Sequence, residues 1–234
     1  MILPSFILNS RCNKTFLTTG IDSENKCRDK KWFKNYPHEV TYTYNSRGFR
    51  DSEWPDDHEL ADAIWCFGDS FTVGVGNNFK HTWTQLLSEI SGRRTINISL
   101  DGASNNWLHR RAKEVLDTVK PYAIVMHWTY LSRYEKEDAT LSDEDRRLHC
   151  HPLDWQEEES DVYQKRFNHF LSDLSHPNII HTAIPNYRVW HGDMNFILPV
   201  DEVTFLDVAR DGYHYGARTA KSLADKISSR LETI

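Results

Sequence analysis

Residues 63–72 read Ala63-Ile64-Trp65-Cys66-Phe67-Gly68-Asp69-Ser70-Phe71-Thr72, and this stretch decides the fold. Its first five residues are apolar without alternation, and the run stops at a glycine. A short continuous apolar run bounded by turn chemistry suits a strand covered on both faces, as in a parallel sheet. Similar runs recur downstream. Thr95–Ile98, Tyr122–Met126 and Asn178–Ile184 read as further strands, with a short one near Val203–Leu206. Helical spacing fills the gaps between them. Trp83, Leu86, Leu87 and Ile90 mark a helix over residues 80–91, and Leu108, Ala112, Val115 and Leu116 mark one over Asn105–Val119, stopped by Pro121. Helices are also predicted over Asp161–Leu174 and Tyr215–Leu231, the last with Ala220, Leu223, Ala224, Ile227 and Leu231 on its apolar stripe. Strands alternating with helices imply an α/β sandwich built on a parallel sheet.

The flanks of this pattern differ from it. Residues 1–60 are polar and lack a period, apart from a strand-like Val40–Tyr44 and a turn at Asn45–Gly48. They read as an extension packed on a domain over 61–234, within which 132–160 forms a charged insertion. The chain has 234 residues, enough to bury a core without disulfides or a metal. Its formal charge is 28 − 34 = −6, and its Arg pairs are scattered. That argues against nucleic acid, which needs a clustered basic surface. No segment approaches the ~20 apolar residues that span a bilayer, and the amino terminus lacks a basic n-region and cleavage site. The expectation is therefore a cytoplasmic protein without a membrane partner. Of the four cysteines, Cys66 reads as core; Cys12 and Cys27 are left open as a pair, since spacing does not set their separation.

The chemistry starts at Ser70. It follows the most apolar strand, and ligands of open α/β sheets bind beyond the carboxyl ends of strands. A serine hydroxyl is a weak nucleophile without a base in hydrogen-bond reach. Asp211-Gly212-Tyr213-His214, just before the last helix, supplies one. An Asp three residues ahead of a His is placed to hold Nδ1–H, which leaves Nε2 to take the serine proton.

These residues carry a resemblance. Gly68-Asp69-Ser70-Phe71 resembles the first block of the SGNH (GDSL-like) hydrolases, Asn97–Ser104 their second block, and Asp211–His214 their last. The resemblance covers roughly residues 61–234. It implies a three-layer α/β/α, flavodoxin-like sandwich with five parallel strands in the order 2-1-3-4-5, and hydrolysis of esters without metal or organic cofactor. It also implies Ser70, His214 and Asp211 as catalytic residues, with the amides of Ser70 and Gly102 as oxyanion donors. Asp69, Thr129 and Tyr213 are the expected substrate contacts. The third block departs from the family. Where Gly-x-Asn-Asp is usual, this chain has Met126-His127-Trp128-Thr129-Tyr130-Leu131-Ser132-Arg133. The absent Asn side chain is an oxyanion donor in the family, and losing such a donor costs ~10²–10³ in turnover. Asn105 and Asn106 rank first as replacements, ahead of Thr129 and His127, because an amide is a good fixed donor.

Other motifs weigh less. Gly74-Val75-Gly76 lacks the Gly-Lys-Ser/Thr of a phosphate loop. His149-Cys150-His151 with Asp154 lacks a second ligand pair for zinc, so no metal is expected. Arg50, in Asn45–Arg50, is either structural or a partner for an anionic substrate group. Trp128, Tyr130, Tyr187, Trp190 and Tyr213 either stack on a ligand or pack the core and rim. The preferred substrate is a small-molecule or glycan ester, with O-acetyl groups on a carbohydrate foremost. An acyltransferase on the same three residues, a catalytically inactive binding module, and an assembly protein presenting aromatic loops stand as rivals.

Overall fold

The computed structural model describes residues 7–36, 39–131, 133, 135, 140, 157–185 and 200–233. The His149-Cys150-His151 and Asp154 segment, Tyr187 and Trp190 lie outside them, as does most of the 132–160 insertion.

Five parallel strands form the central sheet: β3 (Ile64–Gly68), β4 (Thr95–Ser99), β5 (Ala123–Trp128), β6 (Ile179–Ala183) and β7 (Asp201–Glu202). The spatial order is β4-β3-β5-β6-β7, which counted within the sheet is the expected 2-1-3-4-5. β3 lies inside the sheet, and its period-two alternation feeds two cores. Trp65 and Phe67 enter a cluster with Ile98, Trp107, Trp128 and Phe167; Ile64 and Cys66 enter another with Trp83, Leu87, Leu223 and Ile227. The first cluster is covered by α5 (Asn105–Thr118) and α6 (Glu157–Asp173), the second by α4 (Trp83–Ser91) and α7 (Ala217–Leu231). Burial on both faces is why the β3 run contains no polar alternation.

Local chemistry sets the helix ends. Ser104 caps α5 by accepting from the Trp107 N–H at 3.2 Å. Asp207 caps α7 from outside the helix, accepting from the Arg218 and Thr219 N–H groups at 3.1 and 2.8 Å. The sequence placed several boundaries differently. The helix expected over 80–91 divides into a 3-10 turn at Phe79–His81 and α4 from Trp83, because Thr82 between them is extended. α6 begins at Glu157 rather than Asp161. The final strand is Asp201–Glu202 rather than Val203–Leu206; Val203 only adds a backbone bond to the Ala183 carbonyl at 2.9 Å. A two-residue edge strand is too short to leave a period.

Ahead of the sheet lie β1 (Thr15–Phe16), α1 (Glu24–Cys27), β2 (Tyr42–Thr43) and α2 (Asp57–Leu60). β1 and β2 pair antiparallel, and α3 (Ser70–Val73) follows β3. This amino-terminal segment is held by buried polar groups. The Arg50 guanidinium donates to the carbonyls of Val73, Gly74, Asn77 and Thr41 at 2.7–3.2 Å and stacks 4.2 Å from the Tyr42 ring centroid. Arg50 is therefore structural, and the anion-binding alternative is set aside: four carbonyls occupy it inside the fold. Asp51 pairs with Arg94 at 2.9 Å and accepts from the Asn97 N–H at 3.0 Å, which ties the segment to β4. Cys12 and Cys27 are free thiols, so the disulfide left open by the sequence is absent. Among the described residues no helix is long and apolar enough to cross a membrane.

Candidate active site

Ser70 opens α3 directly after β3, and Asp69 caps the turn by accepting from the Phe71 N–H at 3.0 Å. Across the site, the loop 207–216 folds back on itself. Val208 bridges Tyr215, and the Ala209 N–H donates to the His214 carbonyl at 2.8 Å. This hairpin-like turn carries His214 to Ser70. His214 Nε2 lies 2.8 Å from Ser70 Oγ, and its Nδ1 lies 2.5 Å from Asp211 Oδ2. Asp211 Oδ1 accepts from the N–H groups of Tyr213 and His214, both at 3.1 Å, so the carboxylate is fixed at its other end. The side chains of His214 and Asp211 are almost wholly buried, and the Phe71 ring lies 4.6 Å from the imidazole. Ser70 and the Asp211–His214 pair, far apart in sequence, thus form one hydrogen-bonded chain, in the order an acyl-transfer triad requires.

The loop depends on a glycine. Gly212 has φ +75°, and a Cβ there would stand 1.9 Å from Trp32 Cζ2. Only glycine fits both the left-handed backbone and the indole. Trp32 belongs to the amino-terminal segment, and other parts of that segment meet the same loop. The Arg210 guanidinium donates to the carbonyls of Asp22 and Tyr36 at 2.7 and 2.8 Å. The Tyr42 hydroxyl accepts from the Gly76 N–H at 2.7 Å and donates to Asp22 Oδ2 at 2.7 Å.

The residues expected to serve as oxyanion donors follow from the sheet register. Gly68 pairs with Ser99, and the Leu100 N–H donates to the Gly68 carbonyl at 3.2 Å. The turns that carry Ser70 and Gly102 therefore follow the carboxyl ends of two neighbouring, paired strands. Gly102 takes φ +74°. Among the described residues neither the Ser70 nor the Gly102 N–H is donated to a backbone acceptor outside regular helices and strands.

The asparagine expectation needs correction at Asn105. It is buried, and its amide nitrogen donates to the carbonyls of Thr129 and Tyr130, both at 3.2 Å, while its oxygen accepts from the Thr129 N–H at 3.0 Å. Both donor hydrogens are used to pin the turn after β5, so none remains for an oxyanion. Asn106 is half-buried, and among the described residues its Oδ1 has no hydrogen-bond partner. His127 is also removed from the list. It is buried between Thr182 Oγ1 at 2.8 Å and the Tyr215 hydroxyl at 3.2 Å, and burial pushes its pKa down to about 4. Asp69 and Thr129, expected to touch substrate, are fully buried and bond to each other at 2.6 Å. Their place is behind the nucleophile. Tyr213 does stand at the surface, 43% exposed, with its ring centroid 5.1 Å from that of His214 and its hydroxyl bonded to that of Tyr130.

Arg133 was passed over by the sequence reading. Its Nη1 donates to Asp69 Oδ2 at 2.7 Å and to Thr129 Oγ1 at 2.9 Å, and its guanidinium stacks 5.0 Å from the Tyr130 ring centroid. It thus braces, with Thr129, the carboxylate that caps the Ser70 turn. The available signal was an arginine four residues after Thr129 in an otherwise uncharged block. Among the described residues there is no cluster of three or more His, Cys, Asp or Glu suited to a metal ion.

No known family profile matches the chain, and no curated protein matches it in sequence. Solved structures are similar in backbone arrangement at low identity. A psychrotrophic esterase from Pseudoalteromonas sp. is 15% identical, with a TM-score of 0.44 over 74% of this chain and 97% of that one. An acetyl xylan esterase from the rumen bacterium Butyrivibrio proteoclasticus is 14% identical, with a TM-score of 0.46 over 78% and 65%. A member of the lipolytic G-D-S-L family from Veillonella parvula is 13% identical, with a TM-score of 0.41 over 74% and 98%.

Proposed function

We propose that this protein is a serine hydrolase of carboxylic esters, with Ser70 as nucleophile, His214 as general base and acid, and Asp211 as the group that orients the imidazole. The observation carrying this reading is the continuous chain from Ser70 Oγ through His214 Nε2 at 2.8 Å to Asp211 Oδ2 at 2.5 Å from Nδ1. In the proposed reaction Ser70 Oγ attacks the ester carbonyl carbon as its proton passes to Nε2. Negative charge builds on the carbonyl oxygen, for which the Ser70 and Gly102 amides are the assigned donors. Collapse breaks the C–O bond to the alcohol, which leaves with the proton from His214. Water, deprotonated by the same nitrogen, then attacks the acyl-enzyme and releases the acid. Asp211 stays ionised throughout and stabilises the imidazolium.

Asp69 acts by holding the turn that presents Ser70, and Thr129 and Arg133 hold Asp69. The substrate assigned is an ester small enough to reach a nucleophile that is itself nearly buried, with O-acetyl groups on a carbohydrate preferred. The deciding experiment compares wild type and Ser70→Ala on p-nitrophenyl acetate, butyrate and octanoate, with labelling by a fluorophosphonate. Turnover at least 10³-fold lower in Ser70→Ala, together with Ser70-dependent labelling, is the expected outcome. Equal rates for the two proteins on all three esters, with no labelling, would refute it.

A further inference from the structure

A cavity opens under the amino-terminal hairpin, and none of Ser70, Asp211 and His214 lines it. It holds about 200 Å³ between the amino-terminal hairpin and the carboxyl edge of the sheet. Val75, on its wall, donates its N–H to the Ser70 carbonyl at 3.2 Å. Asp101, also on the wall, is the chain neighbour of Gly102. The cavity therefore lies against the turn that carries the Ser70 carbonyl and against the residue that precedes Gly102.

Its chemistry narrows the occupant. Arg11 and Asp101 give one positive and one negative side chain. An anion would face Asp101 and a cation would face Arg11. Arg11 also donates to the Tyr44 hydroxyl at 3.4 Å, and an acyl chain would strip water from Asp101 and from the rest of the guanidinium without replacing those hydrogen bonds, an uncompensated cost. A neutral polyhydroxyl compound meets both, donating to the carboxylate and accepting from the guanidinium. The remaining walls fit the same class. Thr18 and Thr19 donate their hydroxyl hydrogens to buried Asp22 at 2.6 and 3.0 Å, and the Thr18 oxygen accepts from the Gly20 N–H at 2.9 Å, so toward a ligand these hydroxyls, Thr19 foremost, act as acceptors. Phe16, 41% exposed on β1, meets the Tyr44 ring edge-to-face at 5.8 Å between centroids. Together they offer an apolar face of the kind against which the C–H face of a sugar ring packs. The framework is rigid, since Tyr42 beneath it is locked between Asp22 and the Gly76 N–H.

We propose that this cavity is a glycosyl subsite, built by the amino-terminal segment, that binds a neutral sugar unit of the alcohol portion of the substrate. The assignment of that unit to the alcohol portion rests on the esterase reading above; the presence of a sugar site does not. Two measurements keep them apart. In the first, wild type, Phe16→Ala and Arg11→Gln are assayed on O-acetylated xylo-, manno- and chito-oligosaccharides and on p-nitrophenyl acetate. The ratio of kcat/KM for the best oligosaccharide to that for p-nitrophenyl acetate is expected to fall at least 10-fold in each variant, through KM. In the second, the unacetylated oligosaccharides are titrated into Ser70→Ala and into Ser70→Ala/Phe16→Ala. Weaker binding by at least 10-fold in the latter supports the subsite whether or not any ester is cleaved. Unchanged ratios together with no oligosaccharide binding would overturn it, as would a loss confined to octanoate esters, which would make the cavity an acyl pocket. Absence of hydrolysis by wild type, with sugar binding retained, would defeat the esterase reading alone.

Discussion

Asp211→Asn isolates what the carboxylate contributes. Asp211 Oδ1 faces two backbone N–H groups at 3.1 Å, and Oδ2 faces His214 Nδ1 at 2.5 Å. An asparagine offers one acceptor end and one donor end. With its NH2 toward the backbone, two N–H groups lose their acceptor, at roughly 1–3 kcal/mol each. The amide oxygen is therefore expected to stay on the backbone, with the NH2 pointing at Nδ1. That forces Nδ1 to accept and places the ring proton on Nε2, where it faces Ser70 Oγ and blocks proton transfer. A bias of roughly 2–6 kcal/mol against the productive tautomer lowers kcat by about 30-fold to about 10⁴-fold. The upper end equals the effect of the same change in the well-studied serine protease triad. The assay is steady-state hydrolysis of p-nitrophenyl acetate at pH 7–8, with thermal melting to show that the variant is folded. A folded Asp211→Asn retaining more than a third of wild-type kcat would refute the reasoning, because the imidazole would then take its tautomer from another group.

Three further outcomes are expected. Gly212→Ala brings a Cβ to 1.9 Å from Trp32 Cζ2 at φ +75°, so it is expected to cost about 2–4 kcal/mol from backbone strain and overpacking; Trp32→Gly in the same chain should restore part of it in urea melts. Asn105→Ala removes three hydrogen bonds to the turn after β5 and is expected to lower stability by about 2–4 kcal/mol; unchanged stability with a 10²–10³-fold lower kcat would restore Asn105 as an oxyanion donor. The His127 ring, with its pKa pushed down to about 4 by burial, stays neutral when folded, whereas the unfolded chain binds a proton near pH 6.5. Its contribution to stability is therefore lost as pH falls from about 6.5 to about 4. Asp51, raised to about 6 by burial, acts in the opposite direction over the same range, so the effect is read as a difference. His127→Gln should have a shallower acid decline in melting temperature than wild type, and equal slopes would contradict it.

Much of the site was legible because its parts are local. The unbroken apolar run at 63–67 identifies a strand buried on both faces, and the Gly68-Asp69 turn after it caps the helix that begins at Ser70. Asp211 and His214 are three residues apart, so one turn is enough to join them. The apolar stripe of α7 is visible for the same reason: its spacing is repeated within a few residues.

The identities of Gly68, Ser70, Asp211 and His214 and the order of strands and helices thus came from sequence alone. The placement of Asn105, His127 and Arg133 did not. Each has several chemically reasonable uses, and which one applies depends on a partner brought near by the sheet: the Thr129 carbonyl, the Tyr215 hydroxyl, the Asp69 carboxylate. The amino-terminal segment shows the limit most clearly. Arg50 and Arg210 hold it to the loops around Ser70 and His214 through backbone carbonyls, one of them 188 residues away. Every residue carries such a carbonyl, so no residue type marks the acceptor, and only the folded chain decides which one an arginine meets.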